Sequence, residues 1–269
     1  MDLHNIETYL SPQKIEEITN WKTGWTWLAG GTWLFTEPQP QINTLVDLQN
    51  LKWSEIEINS EGLTIGATCI MSQLSKHTFP ENWTAVKGLK SAVQELASFK
   101  IQNVATVGGN LCLALPAGTF APVMIVLDAK YQILPLSGEP YWISALEFQT
   151  GAKQTILKPG EVLRKIFIPK ENLELQINYQ RICVATAGLA VSIVVAAYNP
   201  NTQKIRFGIS GCVPSPKFIE FAQIPSKTEI IEKLNTTIPL TNYLNDTTAS
   251  NTYRQHITQI LIDRSLNLS

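Results

Sequence analysis

The sequence has few of the features that mark several large classes of protein. Its four cysteines, Cys69, Cys112, Cys183 and Cys212, are widely spaced and form no C-x-x-C pair, which argues against a zinc or iron–sulfur site and predicts free thiols. The 21 Lys and Arg residues nearly balance 22 Asp and Glu residues, so no basic stripe indicates a nucleic acid partner. No apolar run approaches the roughly 20 residues of a membrane helix, and the start MDLHNIETYL is neither basic nor apolar. We therefore expect a cytoplasmic protein without a membrane span.

Residues suited to acid–base catalysis are also scarce. The three histidines, His4, His77 and His256, lie in predicted surface or tail segments. The dinucleotide fingerprint G-x-G-x-x-G and the phosphate-loop fingerprint G-x-x-x-x-G-K-[ST] are both absent. These absences argue against a nicotinamide-binding Rossmann domain and a P-loop ATPase, and we predict no catalytic residue and no metal ligand.

Two glycine pairs are the most informative local features that are present. The segment ATVGGNLC, residues 105–112, follows an apolar run and precedes a predicted helix, and LAGGT, residues 28–32, lies upstream. Glycine has no Cβ and readily adopts positive φ, so successive N–H groups can point into one concavity that suits an anion. One pair alone is typical of a tight turn. Two pairs, each with a nearby hydroxyl, predict a cradle that holds a pyrophosphate from both sides.

Hydrophobic periodicity predicts a mixture of helices and strands, an α+β protein. Predicted strands cover 25–29, 45–48, 131–136, 141–143 and 162–169, with hairpins over 56–67 and 187–210. Predicted helices cover about ten residues after Ser11-Pro12, then 71–76, 82–98, 117–127, 226–234 and 250–266. The length of 269 residues suggests two domains, and the polar stretch 170–176 is the candidate boundary. We predict domains at 1–170, with subdomains of about 1–52 and 53–170, and at 175–269.

Four of the tryptophans lie close to the first glycine pair in the sequence. They are Trp21, Trp25, Trp27 and Trp33. A flavin platform is one interpretation of this cluster. We favour a role in a core or a subunit interface.

Taken in order, these motifs resemble the flavoprotein (FAD-binding, medium) subunit of the molybdenum hydroxylases, the group of xanthine dehydrogenase and aerobic carbon monoxide dehydrogenase. The resemblance covers nearly the whole chain, and its motifs are 29–32, 45–48, 63–67, 105–112, 127–129, 155–161, 166–169 and 253–254. It implies a two-part FAD-binding region of the vanillyl-alcohol-oxidase (PCMH) type. An α+β C-terminal domain of the carbon monoxide dehydrogenase flavoprotein type would follow.

The resemblance also implies FAD as the cofactor and a set of residues that bind it. Residues 28–35 and 106–110 would hold the diphosphate through backbone amides and threonine hydroxyls, Leu96 would lie near the isoalloxazine ring, and Leu163 would pack on the cofactor. Thr119 stands where the family commonly has Asp, and Gln180 stands near a position where a Lys often reaches the flavin. The expected cofactor-binding residues are Leu28, Ala29, Gly30, Gly31, Thr32, Trp33, Leu34, Phe35, Leu96, Thr106, Val107, Gly108, Gly109, Asn110, Thr119, Leu163 and Gln180.

The partners that the resemblance implies are an iron–sulfur subunit and a molybdenum-cofactor subunit of a heteromeric oxidoreductase. Electrons would pass from the partner's clusters to NAD or another acceptor, and FAD would do the redox chemistry. Two alternatives remain open. One is a structural or assembly paralogue with weak or no FAD binding, which Thr119, Lys100 and Gln180 motivate, and the other is a stand-alone flavin reductase.

Overall fold

The computed structural model describes residues 3–96, 98–186 and 188–267. The strands are β1 (Thr8–Leu10), β2 (Trp25–Leu28), β3 (Thr44–Asp47), β4 (Ile56–Ile58), β5 (Gly62–Gly66), β6 (Lys130–Leu134), β7 (Tyr141–Ser144), β8 (Gln149–Gly151), β9 (Gln154–Thr155), β10 (Val162–Pro169), β11 (Gln176–Cys183), β12 (Ala190–Tyr198), β13 (Ile205–Ser210) and β14 (Lys217–Phe221). The helices are α1 (Met71–Lys76), α2 (Val86–Gln94), α3 (Phe99–Gln102), α4 (Val107–Leu113), α5 (Ala121–Val126), α6 (Ala145–Phe148), α7 (Lys170–Leu173), α8 (Lys227–Thr237) and α9 (Asn251–Ser265). Single turns of 3₁₀ helix cover Ile15–Glu17, Gln49–Leu51 and Leu240–Asn242.

A small parallel sheet of order β1-β3-β2 opens the chain. Its central strand β3 is buried along its whole length, and Trp25 of β2 pairs with Thr44 of β3. After β2 the chain enters a tight turn at Gly31, whose φ of +66° only glycine adopts without strain. The amide of Phe35 then donates to the carbonyl of Gly31 at 3.0 Å, which closes one helical turn.

The second sheet is antiparallel, with the order β4-β5-β10-β6-β7. Its central strand β10 buries Ile166 and Ile168 completely on the face that carries the main core. Turns with glycine at positive φ connect several of its strands, at Gly62, Gly138 and Gly160. Helices α1, α2, α4 and α5 contribute apolar side chains to the same core.

The third sheet is the antiparallel meander β11-β12-β13-β14. Side chains alternate between the two faces of a strand, and β12 shows the consequence. Ile193 and Val195 belong to the main core with α5, whereas Val194 and Ala196 belong to a second core with α8 and α9. The buried strand β12 therefore joins the two cores. In the described part of the chain, no helix has the length and apolar character needed to cross a membrane.

The structure confirms the predicted α+β composition and most of the predicted strands. Helix α1 and strands β10 and β13 have the predicted bounds, and the predicted hairpins are present as β4–β5 and β12–β13. The hairpin prediction began at Ala187, which lies outside the described residues, and β12 starts at Ala190. The domain boundary near 170–176 stays a prediction.

Three predicted helices are wrong in extent. The helix expected after Ser11-Pro12 is one 3₁₀ turn, Ile15–Glu17, and it ends at Ile18, whose backbone (φ −93°, ψ 86°) is not helical. The helix predicted over 82–98 splits into α2 and α3, because Ser98 is extended (φ −100°, ψ 161°); Ala97 of that prediction lies outside the described residues. The helix predicted over 117–127 shortens to α5, with Pro122 in its first turn.

Candidate functional site

A cavity of about 1130 Å³ lies between the first sheet, α4 and the strands β10 to β12. Pockets for drug-sized ligands measure roughly 300–1,000 Å³, so this cavity has room for a larger ligand. The segments that line it include most of residues 25–34, 105–119 and 157–163, together with Arg181 and 188–190. Both glycine pairs and residues of the first, second and third sheets therefore meet at one site.

The first glycine pair forms the turn that follows β2. A Cβ on Gly30 would overlap the carbonyl oxygen of Val104, so only glycine allows this turn to lie against the 104–105 backbone. The backbone N–H groups of residues 30–34 donate hydrogen bonds to none of the described residues. Residues 30–34 all line the cavity. We call this segment the amide loop, because its donors are available to an anionic ligand.

The second glycine pair has a different role from the one predicted. Gly108 and Gly109 lie inside the first turn of α4 and have no positive φ. Their amides are already paired, since Gly108 donates to the carbonyl of Ala67 at 2.9 Å and Gly109 donates to Oγ1 of the helix cap Thr106 at 3.0 Å. The amides of Val107 and Asn110 donate to the carbonyls of Cys69 and Thr106. The amides of 107–110 therefore already have acceptors within the chain, and the expectation that residues 106–110 hold a diphosphate stays a prediction.

The second glycine pair allows α4 to lie close to neighbouring parts of the chain. A Cβ at Gly108 would lie 2.5 Å from the carbonyl oxygen of Ala67, so this glycine lets α4 pack on the end of β5. A Cβ at Gly109 would lie 2.8 Å from Thr106 Oγ1 and 4.0 Å from the Cβ of Ala29. Gly109 therefore leaves the gap between α4 and the amide loop open.

Three residues that come later in the sequence, Gln149, Tyr179 and Gly211, hold the cavity segment 114–119 in place. Gln149 Nε2 donates to the carbonyl of Ala114 at 2.9 Å, and Gly211 N donates to the carbonyl of Pro116 at 2.6 Å. The hydroxyl of Tyr179 donates to the carbonyl of Thr119 at 3.3 Å. The side chain of Thr119 is 2% exposed and lines the cavity, yet its Oγ1 has no partner among the described residues. A buried hydroxyl without a partner is unfavourable, so this atom is suited to a hydrogen bond with a ligand.

Acidic and basic side chains at the cavity neutralise one another. Arg181 pairs with Glu95 at 2.9 Å, and Lys153 pairs with Glu37 at 3.5 Å. The carboxylate of Glu161 accepts hydrogen bonds from the Tyr141 hydroxyl and from a backbone amide. Oriented amides, rather than an excess of positive charge, are therefore the main attraction for an anion.

The titratable groups at the cavity are shifted away from reactivity. Burial raises the pKa of the Cys112 thiol to about 12, so it stays protonated and is not a nucleophile at neutral pH. Burial also raises the pKa of Tyr179, with a further contribution from Glu95. All four cysteines are free thiols, as predicted. Within the described residues, no group of His, Cys, Asp and Glu is arranged to hold a metal ion.

Most of the residues predicted to bind cofactor line this cavity. They are Leu28, Ala29, Gly30, Gly31, Thr32, Trp33, Leu34, Leu96, Thr106, Gly108, Gly109, Asn110, Thr119 and Leu163. Phe35, Val107 and Gln180 are not among its lining residues: Phe35 packs its ring near Gly31, and Val107 is fully buried in the main core. Gln180 donates to Asn178, while Arg181 lines the cavity because neighbouring residues of a strand point to opposite faces.

Sequence reasoning missed an aromatic part of the cavity wall. Trp21, Trp25 and Trp27 line the cavity together with Trp33. Trp21, Trp25 and Trp33 belong to none of the core clusters among the described residues, so the core part of the role favoured for them is not seen, and the subunit-interface part stays a prediction. The signal was available in the sequence, because Trp25 and Trp27 are two residues apart on a strand that runs into the first glycine pair.

Comparison with known proteins finds similarity to FAD-binding domains and subunits of dehydrogenases. The family model "FAD binding domain in molybdopterin dehydrogenase" matches residues 4–171. The xanthine dehydrogenase/oxidase of Gallus gallus is 27% identical over 177 residues, which cover 60% of this chain and 13% of that protein. The nicotinate dehydrogenase FAD-subunit of Eubacterium barkeri is 25% identical over 176 residues, which cover 62% of this chain and 57% of that one. The chain thus spans between about one eighth and just over half of these relatives.

The solved structures include a chain with the same fold along its whole length. A chain of the carbon monoxide dehydrogenase from Hydrogenophaga pseudoflava superposes with a TM-score of 0.86 at 18% identity, over 100% of this chain and 98% of that one. This similarity confirms the fold predicted from the sequence.

Proposed function

Because the chain belongs to the family of FAD-binding domains in molybdopterin dehydrogenases, we propose that it is the FAD-carrying electron-transfer part of a molybdenum hydroxylase-like oxidoreductase. FAD is the cofactor of this family, and the expectation of FAD from the sequence is confirmed. The single observation that carries the proposal is the amide loop, five consecutive cavity-lining residues whose N–H groups have no acceptor among the described residues.

The residues of the cavity fit an extended dinucleotide such as FAD. The volume of about 1130 Å³ exceeds what a single nucleotide needs. Unpaired N–H groups in a row are the donors that a diphosphate requires. The buried Oγ1 of Thr119 adds a hydroxyl without a partner on the opposite segment of the wall.

The proposal assigns separate parts of the cofactor to separate residues. The amide loop and the hydroxyl of Thr106 hold the diphosphate, and Gly109 allows it to approach α4. The hydroxyl of Thr119 bonds the ribityl chain. Leu96 contacts the isoalloxazine ring, and Leu163 packs on the cofactor, both through apolar surface. When bound, FAD supplies both one-electron and two-electron transfer, so the chain itself needs only to bind, orient and shield it.

Charged residues of the cavity connect its wall segments and balance its charge. The ion pairs Arg181–Glu95 and Lys153–Glu37 tie neighbouring wall segments together. The partly exposed cations keep the diphosphate from facing uncompensated carboxylates. We propose that the partners are an iron–sulfur subunit and a molybdenum-cofactor subunit, that the acceptor is NAD or another oxidant, and that the complex is cytoplasmic. The name of the nicotinate dehydrogenase FAD-subunit supports one part of this assignment, an FAD-carrying subunit within a larger dehydrogenase.

The experiment is to purify the chain alone, record its absorbance spectrum and identify any released nucleotide. We expect flavin bands, with FAD released in a ratio of one per chain. Apoprotein prepared by removing the flavin should regain the bands with FAD. Protein that stays colourless with excess FAD would contradict the proposal and favour the structural paralogue. Oxidation of NADH with reduction of a dye, in the absence of partner chains, would instead favour the stand-alone reductase.

A further inference from the structure

Three tryptophans at the start of the first sheet form one continuous aromatic surface on the cavity. The ring centroids of Trp21 and Trp27 lie 4.5 Å apart at an interplanar angle of 34°. Trp25 meets Trp21 edge to face, with centroids 5.7 Å apart. All three are partly buried and line the cavity. We call Trp21, Trp25 and Trp27 the tryptophan wall.

The wall is held in place from behind. The indole Nε1 of Trp27 donates to the carbonyl of Glu161 at 3.1 Å, and its ring packs against a small core that includes Trp53 and Val162. Trp21 and Trp25 belong to no core cluster among the described residues, so their burial comes from each other, from Trp27 and from neighbouring loops. The Lys22 ammonium lies 5.8 Å from the centroid of the Trp25 ring, and both Trp21 and Trp25 stay partly exposed where they line the cavity.

The wall leads along the chain to the amide loop. Residues two apart on a strand share a face, so Trp25 and Trp27 share one face of β2, which ends at Leu28 and is followed by Ala29, the residue just before the loop. A strand rises about 3.3 Å per residue, which places Trp27 about 7 Å and Trp25 about 13 Å from Ala29. A base attached through its ribose to a phosphate at the amide loop reaches this distance range.

Aliphatic residues also line the cavity near the amide loop. Gly30 packs against the backbone of Val104, whose amide donates to the carbonyl of Ile101 at 3.0 Å. Ile101 and Leu96 both line the cavity. The cavity therefore offers both an indole surface and an aliphatic surface in addition to the amide loop. These two surfaces match the two ends of a dinucleotide whose diphosphate is held in the middle.

We propose that the tryptophan wall stacks the adenine of FAD and thereby selects FAD over FMN. This inference rests on the proposed function and deepens it. A purine is flat and electron-rich, and stacking on aromatic side chains holds a base without any specific hydrogen bond. The isoalloxazine ring lies at the aliphatic end, where the proposed function places Leu96. The wall binds the adenosine half, which FMN lacks.

The test measures the affinities of FAD, FMN and ADP for the apoprotein by flavin and tryptophan fluorescence. The variants are Trp21→Leu, Trp25→Leu and the conservative Trp21→Phe. Trp142→Leu is the matched control, because Trp142 is 45% exposed on β7 and is not a cavity residue. Either leucine variant should weaken FAD and ADP by about 5- to 150-fold, the range of one lost base–aromatic stack. FMN affinity should stay unchanged, Trp21→Phe should restore most of the FAD affinity, and Trp142→Leu should have no effect.

The outcomes separate the wall from the proposed function. Unchanged FMN affinity shows that a variant is folded, so equal losses for FAD and FMN would overturn the inference and indicate that the tryptophans only support the cavity. Unchanged FAD affinity in both leucine variants would also overturn it. Wild-type protein that binds no flavin would refute the proposed function instead, and absence of saturable ADP quenching in that protein would refute the wall as well.

Discussion

Two neighbouring glycines in α4 should separate cofactor binding from stability. In Gly109→Val, the new Cβ would lie 2.8 Å from Thr106 Oγ1, and its next neighbour, the Cβ of Ala29, is 4.0 Å away. The helix therefore has to give up at most the Thr106 cap, about 1 kcal/mol, and recovers part of this because glycine is a poor helix former. The valine methyls, however, fill the gap between α4 and the amide loop.

We expect Gly109→Val to weaken FAD binding by about 10- to 150-fold, because it removes at least one hydrogen bond to a charged phosphate, worth about 1.5–3 kcal/mol. The melting temperature of the apoprotein should fall by no more than about 4 °C. Flavin titration measures the first quantity and calorimetry of flavin-free protein measures the second. Flavin-free protein is needed because bound cofactor itself raises the melting temperature.

Gly108→Ala is the matched control, because its main expected effect is on the stability of the apoprotein and not on FAD binding. Its Cβ would lie 2.5 Å from the carbonyl oxygen and 2.7 Å from the Cβ of Ala67, and backbone at the end of β5 has little freedom to move. Overpacking of this kind costs about 1–3 kcal/mol, so the apoprotein should melt roughly 2–12 °C lower. The reasoning would be refuted if Gly109→Val bound FAD with wild-type affinity, or if Gly109→Val destabilised the apoprotein as much as Gly108→Ala.

Three further predictions concern buried groups near the cavity. Thr119→Val removes a buried hydroxyl without a partner, so urea unfolding should show the apoprotein about 1 kcal/mol more stable while titration shows weaker FAD binding; losses in both would contradict the ligand role. Burial raises the pKa of Cys69 and Cys112 from their ordinary value of 9.0 to about 12, so the stability that each contributes is present below pH 9 and is lost as the pH rises through about 12. Urea unfolding at stepped pH should show this decline, and it should be smaller in Cys112→Ala; an equal decline would contradict it. Gly30→Ala should lower both the melting temperature and FAD affinity, since its Cβ overlaps the Val104 carbonyl; a wild-type melting temperature would show that the turn has another conformation.

Local sequence patterns predicted those elements whose bounds depend mainly on neighbouring residues. The apolar-rich segment 162–169 gives β10 and the alternation of Ile205, Phe207 and Ile209 gives β13, both with the predicted bounds, because a strand pattern depends on residues close together in the sequence. Ser226 and Ser250 cap α8 and α9 as expected from their hydroxyls. Helix α2 ended early because its extent depends on the separate packing of the following residues, which periodicity does not report.

The candidate site was predicted in its location more than in its chemistry. The glycine pairs identified the two segments that meet at the cavity. The sequence did not distinguish their amides, whereas in the structure the amides of Val107 and Gly108 donate to the carbonyls of Cys69 and Ala67, about 40 residues earlier in the chain. Strand alternation likewise decides that Arg181 reaches the cavity in place of Gln180.

By itself, the sequence determined the α+β composition, the two glycine segments, the free thiols and the membership in an FAD-binding family. Only the tertiary structure decided which amides stay free, that Thr119 keeps an unpartnered hydroxyl and that three tryptophans form one wall. The physical reason is that a donor is available to a ligand only when no other part of the chain supplies its acceptor. That condition depends on contacts between segments far apart in sequence, such as Gly211 with Pro116.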